Sequence, residues 1–250
     1  MSTEPGKPQG LPVIDVNEYG GKKDGEKQAM NRRLFMQLLV LDAAPGQSGD
    51  ALAGHAAGVF RERNVPCVVY ADTMDPRGIG VLTWSDDPAH FIRAVRPAFS
   101  SAALSAASPR PGWAMLGRTY GLGHEPDLEH VLLRKSVANV LNEAFPWHVW
   151  YPLRRTGAFA ALEPQDQGMI LREHATIGMA YGQQDLAHDI RLACHGLDGE
   201  DNEFVIGLVG KDLHPLSHLV QAMRKTRQTS EFIAKMGPFF VGYALHRVNG

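Results

Sequence analysis

The feature that most constrains this chain is an order of segments that occurs twice. Apolar runs and alternation predict strands at Phe35–Leu41, Pro66–Ala71, Ile79–Thr83 and Gly112–Gly121. Helices are predicted at Gly49–Glu62 and Pro88–Ala103, the second opening after Asp86 and Asp87. That order is βαββαβ. After a linking helix, Asp127–Asn142, it returns, with strands at Trp147–Leu153, Asp189–His195, Glu203–Val209 and Phe239–Leu245. The helices of this second unit are Pro164–Ala180, with proline near its first turn, and Leu213–Arg227. Two such units in tandem imply two ferredoxin-like modules. Each antiparallel sheet carries helices on one face, and the other face needs covering. Packing the bare faces together predicts an α+β fold, a dimeric α+β barrel within one chain, enclosing a cavity. The expected division is a flexible arm over residues 1–30, a first module over 31–126, a linker over 127–145 and a second module over 146–250.

Composition narrows the function classes. Lys plus Arg total 25 against 27 Asp plus Glu, a net charge of -2, so no basic surplus points to nucleic acid. Two cysteines, Cys67 and Cys194, cannot form a disulfide framework or a zinc ribbon. The longest apolar run, Leu34–Leu41, is too short to span a membrane, and no charged-then-apolar segment opens the sequence. A soluble, cytoplasmic protein is expected. Phosphate-binding loops, GxGxxG, GxSxG and HExxH are absent. Residues 1–30 are poor in apolar residues, which motivates the flexible arm.

Strand alternation sorts side chains by face. Trp147, Val149, Tyr151, Leu153 and Arg155 share one face of their strand. In Asp189–His195, Ile190, Leu192 and Cys194 share a face expected to lie under the helices. Asp189, Arg191, Ala193 and His195 share the other, which either looks into the inter-sheet cavity or is solvated at an open sheet end. On the helix Pro164–Ala180, Ile170, His174, Ile177 and Tyr181 fall on one stripe, so His174 occupies a core position. It is either a core histidine bonded to a carbonyl or an axial ligand to a metal or haem. His214 and His218, four apart on one helix, lack a third ligand at recognisable spacing.

Several motifs in the second half, in order, resemble the chlorite dismutase family, which includes the coproheme decarboxylases. They are Tyr151-Pro-Leu-Arg-Arg155, Arg172-Glu-His174, Ile177-Gly178 with Tyr181, Gly196-Leu-Asp before Glu203-Phe204-Val205, Met223-Arg224, and Gly237-Pro-Phe-Phe-Val-Gly242. The resemblance covers roughly residues 145–245. It implies a tandem ferredoxin-like barrel assembled as a homopentamer, with haem b or coproheme in the C-terminal module and peroxide as oxidant. His174 matches the proximal iron ligand, with Ile177 beside it. Tyr151 matches the radical tyrosine of the decarboxylases' Tyr-Pro-Met-Ser-Lys motif; Leu153 stands for its methionine and Arg155 for its lysine, beside a propionate. Ser230 matches a propionate-binding serine. The distal position, an arginine in chlorite dismutases, is Asp189, with His188 and Arg191 close by. The activity implied is peroxide-dependent decarboxylation of coproheme to haem b; chlorite dismutation or haem peroxidation, and non-catalytic haem binding, are the alternatives.

Overall fold

A computed structural model describes residues 11–249. The chain opens with a hairpin of β1 (Glu18–Lys23) and β2 (Glu26–Met30), followed by β3 (Phe35–Asp42), α1 (Gly49–Glu62), β4 (Cys67–Asp72) and β5 (Gly78–Ser85). Next come α2 (Arg96–Phe99), a two-residue β6 (Ser108–Pro109), β7 (Met115–Arg118) and α3 (Lys135–Leu141). The second half holds β8 (Trp147–Arg155), α4 (Gly157–Ala160), α5 (Pro164–Gln183), β9 (His188–Ala193) and β10 (Phe204–Gly210). It ends with α6 (Leu213–Met223), α7 (Arg227–Phe232), β11 (Ile233–Met236) and β12 (Phe240–Val248).

The first half orders its strands β7-β3-β5-β4 and the second β12-β8-β10-β9, the same permutation twice. Pairing of β4 with β12, and of β7 with β9, joins the two sheets into a closed barrel. The seams differ. β4 and β12 pair over Cys67–Asp72, whereas β7 and β9 meet only at Arg118 and Ala193. Gly117 permits that approach, since a Cβ there would lie 2.6 Å from the Leu192 Cβ.

Alternation along each strand fills the barrel. Met36, Leu38 and Val40 point inward from β3 and meet Trp150, Ile190, Leu192, Val205 and Phe240 from the second sheet. This interior is packed with side chains. Gly207 lies flat under Trp150, where a Cβ would come within 2.6 Å of the indole ring. A second apolar layer lies outside the first sheet, where Leu52, Ala53, Ala56, Ala57 and Phe60 of α1 cover Val69, Ile79 and Val81. Ser48 caps α1 by accepting from the Ala51 N–H at 3.2 Å.

Three expectations change. The predicted face of β9 is inverted: Ile190, Leu192 and Cys194 are buried inside the barrel, and Asp189 and Arg191 face α5. The reason is closure: the barrel interior is covered on every side, so the aliphatic face gains most by pointing there. Second, the helix predicted at Pro88–Ala103 is a π-turn at Phe91–Val95 running into the short α2. Third, within the predicted arm, residues 18–30 form the hairpin, pinned by Gln28, whose side-chain amide donates to the Gly21 and Glu125 carbonyls. Residues 1–10 of that arm lie outside the described residues.

Candidate functional site

The outer face of the second sheet is covered by α5 and α6, and its chemistry follows from register. Tyr151 on β8 pairs with Ile206 on β10, which pairs with Arg191 on β9, so the three form one row. Val149, Leu208 and Asp189 form the next row. Leu153, Phe204 and Ala193 form the row on the other side. His174 points toward these rows from α5, close enough for Asp189 and Arg191 to act on its charge.

This layer is less tightly closed than the others. It has 7 buried apolar residues and 12 only partly buried, against 17 and 7 in the layer over the first sheet. The partly covered set includes Ile177 and Tyr181 on α5, Phe204 and Ile206 on β10, Val220 and Met223 on α6, and Phe239. Partly covered apolar side chains on both walls, with few polar groups between, suit a flat apolar ligand. Tyr181 crosses the layer to hydrogen-bond His218 Nδ1, tying α5 to α6.

His174 is the unexplained polar group of the layer. Its Nδ1 is buried without a hydrogen-bond partner. Burial pushes its pKa below the ordinary value, and Arg191 adds to that, against smaller opposing effects of Asp189 and Glu173. The ring is therefore a neutral imidazole, the protonation state that ligates iron. Of the two readings the sequence left open, the core histidine bonded to a carbonyl has no support at Nδ1. A single neutral imidazole over a partly covered apolar layer fits an iron porphyrin. Among the described residues no group of three or more His, Cys, Asp or Glu converges as a metal cage.

Facing His174, Asp189 is held by Arg191 Nε at 3.0 Å and Lys135 Nζ at 3.4 Å. Burial raises its pKa, but Arg191 and Lys135 outweigh burial and leave the carboxyl below its usual range. The cluster carries one carboxylate and two cations. His188 is elsewhere: it stacks on Phe145 at 4.6 Å and bonds Asp185 at 2.7 Å, because alternation turns it away from Asp189.

Tyr151 is 6% exposed and stacks on Phe239, with centroids 4.5 Å apart and planes at 23°. Burial raises its pKa, Arg224 lowers it and Asp189 raises it, which places both charged groups near the phenol. The phenol is fully protonated at neutral pH. Leu153 lies one row away and is buried. Arg155 is occupied: its Nε reaches Glu203 Oε2 at 3.0 Å, and its guanidinium lies over Phe159 at 4.2 Å and Phe204 at 4.9 Å. Ser230 is exposed on α7, its hydroxyl donating to the Thr226 carbonyl at 3.0 Å.

The structure thus brings together His174, Ile177, Tyr151, Asp189 and Arg191, with Leu153 beside them. It engages Arg155 and Ser230 with other partners. Two residues the sequence did not single out join the site. Lys135 comes from α3, and nothing local in the sequence links it to β9. Arg224 forms no ion pair among the described residues; its signal was the Met223-Arg224 motif, read only as part of the resemblance.

The architecture is an α+β barrel of two tandem ferredoxin-like modules, with a buried histidine unpartnered at Nδ1 on the helix over its outer face. The chlorite dismutase family model matches residues 84–245, and the chain belongs to that family. Solved structures share the fold at low identity. A heme-binding protein from Thermus thermophilus has 16% identity and a TM-score of 0.66, over 86% of this chain and 92% of that one. A chlorite dismutase variant from Candidatus Nitrospira defluvii has 12% identity and a TM-score of 0.64, over the same shares. No curated protein matches the sequence. No helix among the described residues is long and apolar enough to cross a membrane.

Proposed function

We propose that this protein binds an iron porphyrin between α5 and the second sheet and uses hydroperoxide to decarboxylate the propionates of coproheme, giving haem b. The observation that carries the reading is the row Tyr151–Ile206–Arg191 facing His174: a buried phenol and a cation share one sheet face, opposite a neutral imidazole. The iron porphyrin supplies the redox chemistry; the chain supplies its ligand, orientation and local charge.

His174 holds the iron. Asp189, kept ionised by Arg191 and Lys135, would take a proton from the incoming hydroperoxide and return it to the leaving oxygen, which Arg191 stabilises, so the carboxylate is free again before Tyr151 is oxidised. Tyr151 loses an electron and its phenolic proton, then takes a hydrogen atom from a propionate. Loss of carbon dioxide and a second electron leaves a vinyl group. Per propionate, one hydroperoxide is reduced to water while one carbon dioxide and two hydrogens leave. Arg224, near the Tyr151 hydroxyl, is the cation placed to hold the reacting carboxylate, and Arg155 is not, since Glu203 already neutralises it.

Replacing Tyr151 with Phe tests this step. The ring and its Phe239 stack remain, so iron coproporphyrin should bind with an unchanged absorption spectrum and still consume peroxide, while vinyl product falls at least about a hundredfold, the range of a lost proton-transfer group. Vinyl formation near the parent rate would refute the step. A haem peroxidase is the second reading, favoured by the Asp189–Arg191 pair, which activates peroxide without regard to propionates. It predicts oxidation of added phenols with both propionates intact.

A further inference from the structure

The barrel interior holds a polar pair that the proposed reaction does not use. Tyr70 and His148 are both 0% exposed, and the Tyr70 hydroxyl lies 2.9 Å from His148 Nδ1. On its other side His148 Nε2 lies 2.9 Å from the Phe145 carbonyl oxygen. A carbonyl only accepts, so Nε2 carries the hydrogen, Nδ1 is bare, and Tyr70 donates to it. The phenol proton therefore has one defined acceptor within a hydrogen-bond length. Burying a phenol and an imidazole here is costly compared with two apolar residues; the cluster around them is hydrophobic and includes the indoles of Trp84 and Trp150, and Arg247 donates to the same Phe145 carbonyl at 2.9 Å.

Trp150 links this pair to the porphyrin side. It is 1% exposed in the same interior cluster, with its Nε1 buried and unpartnered. It shares the packed interior cluster with Tyr70, and it directly precedes Tyr151 in β8. Trp150 points into the barrel and Tyr151 out of it, so the wall between the two sides is one residue thick. Gly242 on the intervening β12 lets Tyr70 approach: a Cβ there would lie 2.9 Å from the Tyr70 Cβ. The interior thus holds Trp150, the chain neighbour of Tyr151, together with Tyr70 and Trp84, all shielded from water.

We propose that Tyr70, with His148 as its proton acceptor, is a second oxidation site of this protein, filled through Trp150 when Tyr151 is oxidised without a propionate to react with. This rests on the reading of Tyr151 above, with hydroperoxide as the ultimate oxidant. In the step, the Tyr151 phenoxyl gains an electron from Tyr70 by way of Trp150. The Tyr70 O–H bond breaks, and its proton moves to His148 Nδ1, giving an imidazolium beside a Tyr70 phenoxyl. Tyr151 regains its proton from Asp189, which took it when Tyr151 was oxidised. One tyrosine is oxidised and one reduced, and no proton leaves the protein. The site parks an oxidising equivalent away from the porphyrin edge.

The test loads the protein with haem b, whose vinyl groups offer no further reaction at the decarboxylated positions, mixes it with peroxide, and freezes it for electron paramagnetic resonance. The parent should show an organic radical that narrows when ring-deuterated tyrosine is incorporated, with high-field anisotropy of a phenoxyl hydrogen-bonded to a cation. Tyr70→Phe should lose that component while keeping its circular dichroism, haem absorption and vinyl formation from iron coproporphyrin. If Tyr70→Phe fails to fold, Tyr181→Phe decides instead, because Tyr181 is also bonded to a histidine: a phenoxyl paired with a protonated imidazole that persists in Tyr181→Phe matches Tyr70, and its loss there overturns the relay. A radical unchanged in Tyr70→Phe, or a parent phenoxyl with no hydrogen-bond partner, overturns the relay. If vinyl formation still depends on Tyr151, the decarboxylase reading survives that outcome. No radical and no vinyl product in the parent would sink both.

Discussion

His148 shows how one buried side chain links stability to pH. Burial lowers its pKa to about 3, so the folded protein keeps the ring neutral where the unfolded chain protonates it near 6.5. Between those values the unfolded state binds more protons, so stability falls as pH drops. The slope should approach about 1.4 kcal/mol per pH unit in the middle of that window. Urea melts of the parent and of His148→Phe at pH 7, 6 and 5 (arbitrary set points, about one unit apart) measure it. The variant should show a shallower acid dependence; parallel curves would contradict a neutral buried imidazole. Arg110 illustrates the charged counterpart, with the same sign in acid. It bonds Asp42, reaches Asp72 at 2.8 Å and Asp75 at 2.9 Å, and pulls the Asp42 carboxyl below its usual range. Arg110→Met leaves those carboxylates uncompensated, one of them with its side chain 2% exposed. The expected loss is about 3 kcal/mol at neutral pH and less in acid, where Asp42 protonates and its pairing with Arg110 no longer contributes. A loss that is independent of pH would contradict this.

At the scale of elements, the two seams of the barrel should differ in strength. The β7–β9 seam rests on one pair of residues and on the missing side chain of Gly117. Gly117→Ala forces the strands apart against the Leu192 Cβ and should cost about 1–3 kcal/mol. Hydrogen exchange should quicken at Arg118 and Ala193 before it does along β4 and β12; uniform exchange would contradict a weak seam. Much of this architecture was legible in the sequence, because each strand's alternation and the repeated βαββαβ order are local signals. The face of β9 was not. Alternation reports that Ile190 and Leu192 share a side, but which side is buried deeper depends on closure, a property of both sheets together. The pairing of Arg155 with Glu203 was not legible for a similar reason. A cation at a motif position reads as a propionate partner, yet Glu203 lies opposite on the neighbouring strand and reaches it first. His174 was legible because a histidine on an apolar helical stripe is a local anomaly.

For the whole molecule, the proposed site lies where packing is least complete. The barrel interior and the layer over the first sheet are closed, while the layer holding His174 is left partly open. Outside, Leu11, Val13, Ile14 and Val16 project from an extended segment, each more than half exposed. A ring of subunits, the assembly expected from the sequence, would cover such a segment. Light scattering at micromolar concentration should then give a multiple of 27.4 kDa, and a stable monomer would contradict the ring. The central claim is chemical, and mass spectrometry of the porphyrin tests it most directly. After incubation with iron coproporphyrin and peroxide, the parent should release a product that has lost carbon dioxide and two hydrogens from one propionate, then from a second, and His174→Ala should release neither. An unaltered porphyrin mass from peroxide-consuming, fully loaded protein would contradict the decarboxylase account.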